Sequence, residues 1–487
     1  MGRMHERMTL GVRRFESAWR TPKNQLPVHP LDPLHPIRPS VLDACTAPVT
    51  LTRIPTRMPR AFLALLAVTL LQACASTATS SSQSGSAAAT TANQVVTAAT
   101  RRRIDSTLRT YVGSGRVAGA SALIWEKGRE VYFGAFGMAD REAGRPMSRD
   151  VIAQIFSMTK PVTGVAMMQL WEQGKFKLDD PLATYLPEFA NVRVYAGGDS
   201  AAPTFEAPSR PITIADITRH TAGFVTNAGE KGVGPLFRTA NPGDRNNTIT
   251  QFSQKLASVP LASQPGTRWS YGISVDVQAA LVERVSGQPF GRYVREHILD
   301  PLKMRETRYL VPEADRARFA ALYRRDSTGA LVRVPDSTAR AFHTRTWALE
   351  PGASGLTSTL DDYLRFARML LNGGELDGVR ILRPETVRLM ATNHLPATVR
   401  DSSFLTGKGQ VGFGVDFAVR HSPPKTAAEM NGVVGEFFWD GAASTLFWVD
   451  PANRLTAVLF TQVVPFDSRL HKIFRDAVYG SVTLPPR

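Results

Sequence analysis

The sequence predicts an α+β fold, in which one antiparallel β-sheet flanked by helices is built from both ends of the chain, with a mainly helical lobe inserted between them. Short apolar runs bounded by turn residues, which are typical of strands, occur at residues 117–136 and again at 412–462. The segments between them carry the start and stop residues of helices. Both cysteines, Cys45 and Cys74, precede these elements, so no disulfide can cross-link the predicted domain.

Residues 1–73 are predicted to be an upstream segment and a secretory signal, with Met58 as an alternative translation start. After Met58 come a basic residue, an apolar run too short to span a bilayer as a helix, and a small residue before Cys74. The ending LQAC resembles a bacterial lipoprotein signal, in which the cysteine becomes the lipidated N-terminus. This predicts an exported lipoprotein that faces the periplasm or the cell surface, the alternative being a plain signal peptide with an incidental cysteine. In a Gram-negative host the outer membrane is expected, because Ala75 is not aspartate.

Residues 74–100 are predicted to be the lipid-anchor cysteine and a flexible tether, because they are rich in Ser, Ala and Thr. The folded domain is expected over residues 101–487, with an α/β lobe at about 101–170 and 350–487 and a helical lobe at about 171–349. Its predicted elements are a helix at 101–112, a hairpin at 117–136, a helix starting near 157, a short helix at 213–223, a loop at 225–248, a helix that ends at Gly287, an irregular segment at 311–346, a helix capped within 357–359, strands at 412–419, 433–439, 444–449 and 455–462, and a closing helix at 468–479.

Ser157 and Lys160 stand at the start of the helix predicted near residue 157. Residues three apart share a helix face, and Pro161 is best tolerated in a first turn, so the hydroxyl and the amine can meet there. A helix start favours negative charge, which suits a serine that must become an alkoxide beside a lysine that must give up its proton. Ser157 as a helix cap is the alternative. The same spacing recurs at Ser422 and Lys425, but the two prolines between them exclude a helix.

Composition excludes several classes of function. The net charge of +16 comes without a basic stripe interleaved with aromatic residues, so nucleic acid is not an expected partner. Cys and His residues show no metal-ligand spacing, and neither a metal nor another cofactor is expected. A Gly-x-Ser-x-Gly elbow is absent from the sequence, which argues against an α/β-hydrolase with a Ser/Asp/His triad.

Tyr271 precedes a predicted helix, in a turn from which a phenol can project into a cleft. A core or rim tyrosine is the alternative from local pattern alone. His220, in the short helix predicted at 213–223, is interpreted as structural rather than catalytic.

Five segments resemble the serine β-lactamases and penicillin-recognising enzymes, in the class C-like branch, and within it bacterial esterases with a β-lactamase fold. They span about residues 101–480 and read FSMTKPVTGVAMMQLWEQGKFKLDDPLATYLPEF, ITRHTAGF, PGTRWSYGISVD, GASGLTSTLDDYLRFARMLLNGGEL and WDGAASTLFWVDP. The resemblance implies that Ser157 is the nucleophile, Lys160 its lysine, and Tyr271 the tyrosine of the Tyr-x-Asn motif. It also implies an oxyanion hole formed by the backbone N–H groups of Ser157 and Ala442.

Two motifs depart from the family pattern. Ile273 occupies the asparagine position, which puts recognition of a substrate amide in doubt. Trp439-Asp440-Gly441 replaces Lys-Thr-Gly, and also differs from the Trp-Gly-Gly usual in the esterases. Trp439 is expected to offer substrate an aromatic face instead of a cation, and an inward Asp440 would repel a carboxylate further, unless it points to solvent.

Three functions follow, of which a serine esterase acting on small-molecule esters through an acyl-enzyme is favoured by the loss of the lysine. A β-lactamase or D-Ala-D-Ala carboxypeptidase is the alternative, on the strength of Ser157, Lys160 and Tyr271. A catalytically idle lipoprotein that only binds a ligand is a further alternative, suggested by Ile273 and Asp440.

Overall fold

The computed structural model of the protein describes residues 94–199, 201–399, 405 and 407–483. The predicted signal, Cys74 and most of the predicted tether lie outside the described residues. Within the described ranges, no helix combines the length and the apolar character needed to cross a membrane.

The elements alternate along the chain in the order expected of a mixed α and β domain. The α-helices of the described ranges are α1 Ala98–Gly113, α2 Thr159–Glu172, α3 Ile214–Thr218, α4 Gly234–Ala240, α5 Ile249–Ala257, α6 Ser274–Ser286, α7 Phe290–Val294, α8 Asp336–Ala339, α9 Leu360–Leu371, α10 Pro384–Met390 and α11 Ser468–Tyr479. The strands are β1 Gly119–Glu126, β2 Arg129–Asp140, β3 Arg145–Pro146, β4 Ala153–Gln154, β5 Val194–Gly197, β6 Thr204–Glu206, β7 Tyr323–Arg325, β8 Leu331–Arg333, β9 Thr357–Ser358, β10 Glu375–Leu376, β11 Val379–Arg380, β12 Val411–Phe413, β13 Ala418–Arg420, β14 Phe437–Asp440, β15 Leu446–Asp450, β16 Leu455–Phe460 and β17 Val463–Val464.

An eight-stranded sheet joins the two ends of the domain in the order β12-β13-β14-β15-β16-β1-β2-β3. Every pair of neighbouring strands within it is antiparallel. The N-terminal hairpin meets the C-terminal strands where β1 pairs with β16, with Leu123 opposite Val458. The predicted fold class, an antiparallel sheet contributed by both ends and flanked by helices, is therefore confirmed.

Helices cover this sheet and shield its central strands from solvent. Strands β14, β15 and β16 are buried at every residue, which fits a sheet enclosed by other layers. Helix α9 packs on β1, β15 and β16, while α1 packs against α11 and on β2. Both α9 and α11 are strongly amphipathic, as helices on the outside of a sheet must be.

Helix α2 is the most enclosed helix of the fold, with buried residues on all sides from Thr159 to Met168. A helix that is apolar all round has to lie inside the protein. It packs mainly against α6 and also against α7. Its N-terminus, which the sequence analysis singled out, is therefore held rigidly by neighbours on every side.

Several predicted boundaries were wrong. Helix α1 starts at Ala98 rather than at residue 101, because the Thr97 side chain caps it by accepting from the Thr100 N–H. Residues 95 and 96 also donate their N–H groups to the Glu126 carboxylate at 2.7 and 3.1 Å. The last residues of the predicted tether thus belong to the folded domain.

Three further segments differ from their predicted structure. The strand predicted at 412–419 is two strands, β12 and β13, separated by a turn in which Asp416 has a positive φ of 59°. The helix predicted to end at Gly223 ends at Thr218, and His220 follows it with a φ of 60°. The segment 311–346, predicted to be irregular, contains β7, β8 and α8.

Candidate active site

Ser157 lies on a single 3₁₀ turn, Phe156–Met158, that runs directly into α2. Lys160 Nζ donates to Ser157 Oγ at 3.2 Å, so the predicted pair is brought together as its spacing required. Lys160 is only 3% exposed, and its Nζ also donates to the Ala353 carbonyl at 2.8 Å. Ser157 is a half-buried residue on a turn whose lysine is fixed by a backbone acceptor.

Contacts to the backbone hold this turn in a strained shape. Phe156, just before the serine, has a φ of 46°, a region that costs a non-glycine residue about 1–3 kcal/mol. The Tyr363 hydroxyl donates to the Met158 carbonyl at 2.7 Å, and the Leu356 N–H donates to Thr159 Oγ1 at 3.2 Å. These bonds tie the turn to α9 and β9, and they keep the serine at a fixed position.

Tyr271 lies beside the lysine, in the extended segment just before α6. Lys160 Nζ is 4.5 Å from the centre of the tyrosine ring. The Trp439 indole N–H donates to the Tyr271 hydroxyl at 3.1 Å. Three residues from distant parts of the sequence, Lys160, Tyr271 and Trp439, therefore meet in one place.

Trp439 does not offer a face to substrate, which corrects the sequence prediction. Its side chain is completely buried, with its ring 5.2 Å from the ring of Tyr271 and 5.2 Å from that of Phe413. Its indole is used to hold the tyrosine hydroxyl. The residue that replaces the family's lysine thus acts on Tyr271, and the structure shows no open surface on it.

Asp440 also differs from both of its predicted orientations. It points neither into an open cleft nor to solvent, because it is buried and forms an ion pair with the buried Lys408. Lys408 Nζ lies 4.9 Å from the centre of the Trp439 ring and 5.2 Å from that of Phe466. The carboxylate that was expected to repel an anion is therefore balanced by a cation that the sequence analysis missed.

The backbone beside β14 provides the second wall of the site. A Cβ on Gly441 would lie only 2.3 Å from the Ile155 carbonyl oxygen, so this position requires glycine to let the two segments approach. Ala442 follows in a turn and is itself half-buried. Within the described residues, neither the Ser157 nor the Ala442 N–H donates to another protein atom, which leaves both predicted oxyanion donors available.

Three titratable groups surround Lys160, of which Asp416 and Asp276 were not assigned from sequence. Burial and the Lys160 charge hold the pKa of His220 well below its usual range, so this imidazole is neutral. Burial raises the pKa of Asp416 well above its usual range, although Gln278 donates to it at 3.1 Å. Gly164, one turn after Lys160, leaves room for this carboxyl, since a Cβ there would be 2.8 Å from Asp416 Oδ2.

The third group, Asp276, supports the lysine through the backbone. Its Oδ1 accepts the Ala353 N–H at 2.9 Å, and the carbonyl of the same Ala353 accepts from Lys160. Desolvation raises the pKa of Asp276 to about 6, against the lowering effects of that N–H and of Lys160. Asp276 is five residues after Tyr271 in the first turn of α6, so its position close to the tyrosine motif could have identified it as a site residue from the sequence.

Ile273 is half-buried and occupies the N-cap position of α6 without a side-chain cap bond. His220, interpreted from sequence as structural, is fully buried, and its Nδ1 lies 3.4 Å from the Gly272 N–H. It therefore packs behind the tyrosine segment. Among the described residues, no group of three His, Cys, Asp or Glu side chains is arranged to hold a metal ion.

Comparison with known proteins agrees with this geometry. A sequence model of the Beta-lactamase family matches residues 104–479. Protein Rv1367c of Mycobacterium tuberculosis (strain ATCC 25618 / H37Rv) is 34% identical over 367 residues, which cover 74% of this chain and 89% of that protein. Esterase EstB of Burkholderia gladioli is 30% identical over 404 residues, 79% of this chain and 96% of that protein.

Solved structures show the same fold. The structure of EstCE1, described as a hydrolase with promiscuous acyltransferase activity, has a TM-score of 0.65 and 27% identity, covering 78% of this chain and 99% of that one. Simvastatin synthase (LovD) from Aspergillus terreus has a TM-score of 0.67 and 23% identity, covering 79% and 98%. With the family match over most of the described domain and two relatives at or above 30% identity, the chain belongs to the Beta-lactamase family.

Proposed function

We propose that this protein is a serine hydrolase that cleaves carboxylic esters through an acyl-enzyme. The observation that carries the proposal is the contact between Ser157 Oγ and the buried Lys160 amine at 3.2 Å, on a turn fixed by its neighbours. A serine within hydrogen-bond reach of a positioned base, with two free backbone N–H groups beside it, is the arrangement that acyl transfer needs.

In the first step, Lys160 and Tyr271 together accept the hydroxyl proton, and Ser157 Oγ forms a bond to the ester carbonyl carbon. The negative charge that develops on the carbonyl oxygen is stabilised by the N–H groups of Ser157 and Ala442. The bond from carbon to the alkoxy oxygen then breaks, and the leaving alcohol takes the proton. Water then attacks the carbonyl carbon of the acyl-enzyme through the same steps. This releases the carboxylic acid and returns the proton to the serine.

Lys160 and Tyr271 act as one unit, because Lys160 Nζ lies 4.5 Å from the centre of the tyrosine ring. The unit has fixed partners on both sides: Ala353 accepts from the lysine at 2.8 Å, and Trp439 donates to the tyrosine at 3.1 Å. A hydrogen bond donated to the phenol oxygen stabilises negative charge that develops there in the transition state.

Neutral surroundings at β14 support esters over β-lactams as substrates. The position of the family's lysine is taken by the uncharged Trp439, and the nearby Lys408 is paired with Asp440. A β-lactam carboxylate would lack a charge-assisted contact there, worth roughly 1.5–3 kcal/mol. The names of the relatives, Esterase EstB of Burkholderia gladioli and lovastatin esterase of Penicillium rubens, point the same way.

The test compares kcat/KM of the purified protein for p-nitrophenyl butyrate and for a chromogenic cephalosporin. The expected result is ester turnover well above lactam turnover, and loss of at least 10³-fold in Ser157→Ala. Ser422→Ala is the matched control, since it removes the serine of the other Ser-x-x-Lys sequence and should retain full activity. Faster lactam turnover would support the β-lactamase or carboxypeptidase alternative, and serine-independent turnover would refute the proposal.

We also propose that the chain is exported and anchored to a membrane through lipid on Cys74. The apolar run after Met58 and the LQAC ending support this. Metabolic labelling with an alkyne analogue of palmitate in a bacterial host should mark the wild type and Cys45→Ser but not Cys74→Ser. Equal labelling of the two variants would refute the assignment.

A further inference from the structure

Arg245 carries a charge near the site that the reaction described above does not use. Within the part of the chain that the structure describes, its guanidinium makes neither a hydrogen bond nor an ion pair, and it only stacks on the Phe342 ring at 4.6 Å. Desolvation lowers the pKa of Arg245, yet an arginine stays protonated at neutral pH. The two lysines near the site are engaged, Lys160 with Ser157 and Lys408 with Asp440.

The backbone fixes Arg245 against a wall of the active site. Its carbonyl accepts the Leu349 N–H at 3.0 Å, which joins the loop before α5 to the segment 349–356. A Cβ on Gly355 would lie 3.5 Å from Arg245 Nη1, so the guanidinium lies directly beside that residue. Two residues earlier in the same segment, Ala353 accepts from Lys160. Since two residues span at most about 7 Å, Arg245 Nη1 lies within roughly 15 Å of Lys160 Nζ, a distance that a substrate with a second functional group can bridge.

The groups around the guanidinium leave its charge without a direct partner. Asp276 attracts it through space, but that carboxylate accepts the Ala353 N–H and forms no ion pair with it. The Tyr309 hydroxyl donates to the Pro351 carbonyl at 2.8 Å. Burial lowers the pKa of His343 to about 4, so that imidazole is neutral at pH 7. The guanidinium is half-buried and its nitrogens reach solvent, so the oxygens of a ligand can replace water there without breaking a contact within the protein.

We propose that Arg245 binds the carboxylate of an anionic ester, so that the substrates of this enzyme are esters carrying a second, ionised carboxyl group. A planar guanidinium matches a carboxylate with two parallel hydrogen bonds. The anion is thereby recognised beside Gly355 rather than at the position of the family's lysine in β14. This inference rests on the proposed esterase function, because it names the substrate class of the same site.

The test measures the ratio of kcat/KM between charged and neutral esters of equal length. One series uses p-nitrophenyl hemiesters of glutarate, adipate and suberate against the matching alkanoates; the other uses butyrate esters of 4-hydroxybenzoate and of phenol. In Arg245→Gln, kcat/KM for the charged ester divided by kcat/KM for the neutral ester is expected to fall about 10- to 100-fold in one of the series. Arg245→Lys should lose part of this preference for charged esters, because lysine keeps the charge but lacks the two parallel N–H donors of the guanidinium.

Arg238→Gln is the matched control, because Arg238 is an exposed arginine of the preceding helix α4 whose guanidinium donates to the Ala228 carbonyl. It removes the same charge, and the ratio should stay as in the wild type. An unchanged ratio for Arg245→Gln in both series would overturn the inference, as would an equal fall in both arginine variants.

The neutral esters separate this outcome from failure of the proposed function, because their Ser157-dependent turnover reports on the hydrolase alone. Calorimetric titration of adipate into Ser157→Ala gives a readout that needs no turnover. Binding that is at least tenfold weaker in Ser157→Ala/Arg245→Gln than in Ser157→Ala supports the inference, and equal binding refutes it.

Discussion

Trp439→Phe tests whether the indole at the family's lysine position acts through Tyr271. The substitution keeps an aromatic ring in the buried position but removes the N–H that donates to the tyrosine hydroxyl at 3.1 Å. If that hydroxyl is neutral throughout the reaction, losing the bond is worth about 0.5–1.5 kcal/mol, or a 2- to 12-fold fall in kcat/KM. If its oxygen carries negative charge in the transition state, the loss is about 1.5–3 kcal/mol, or 10- to 150-fold. The second range is expected.

The chain offers a closely matched control in Trp448, one strand away in β15. It is also completely buried, and its indole N–H donates to a tyrosine hydroxyl, that of Tyr479, at 2.8 Å. Trp448→Phe therefore removes the same atoms and the same kind of bond, and it should lower stability without lowering kcat/KM for p-nitrophenyl butyrate. Urea unfolding of both variants checks that they are compared as folded proteins.

A double-mutant cycle tests whether Trp439 acts through the Tyr271 hydroxyl. In a Tyr271→Phe background the acceptor is gone, so adding Trp439→Phe should change kcat/KM by less than twofold. The reasoning is refuted if Trp439→Phe has the same effect in both backgrounds. It is also refuted if folded Trp439→Phe retains full activity.

Two further predictions concern the charges inside the domain. Lys408→Met leaves the buried Asp440 carboxylate without its cation, so the free energy of unfolding in urea should fall by about 3–5 kcal/mol. Adding Asp440→Asn should restore most of that free energy. A double variant as unstable as Lys408→Met would contradict the pairing. Desolvation raises the pKa of Asp276 from 3.8 to about 6, so the folded protein holds a proton that the unfolded chain loses between about pH 4 and 6. The contribution of this carboxyl to stability thus decreases as pH rises through that window. Asp276→Asn removes this dependence, so its unfolding free energy relative to wild type should rise between pH 4.5 and pH 7.5, and a pH-independent difference would show that Asp276 does not titrate there.

The sequence predicted those parts of the site that depend on local spacing. Ser157 and Lys160 are three residues apart on one turn, and helix geometry alone brings them together. The closing helix, α11, was predicted with the bounds that the structure has, because its amphipathic pattern and its flanking residues agree. The sheet followed from strand patterns at both ends of the chain.

Contacts between distant residues could not be predicted in this way. Lys408 and Asp440 lie on separate segments, and nothing in the sequence shows that a lysine reaches the aspartate after Trp439. Without that partner, Asp440 was interpreted as a charge facing substrate or solvent. Trp439 was likewise interpreted from its chemistry alone, whereas its burial depends on packing against Phe413 and Tyr271. A tertiary partner decides the role of each of these residues.

The pairing of β1 with β16 also sets the order in which the protein becomes active. Ser157 lies early in the chain, but β14 and the turn at Ala442 join the sheet only through β15 and β16. During synthesis the nucleophile therefore emerges long before the strands that complete its oxyanion hole. Pairings so distant in sequence form slowly, and they leave collapsed intermediates exposed. In refolding, helical circular dichroism should recover before ester hydrolysis, so hydrolysis reports completion of the whole sheet.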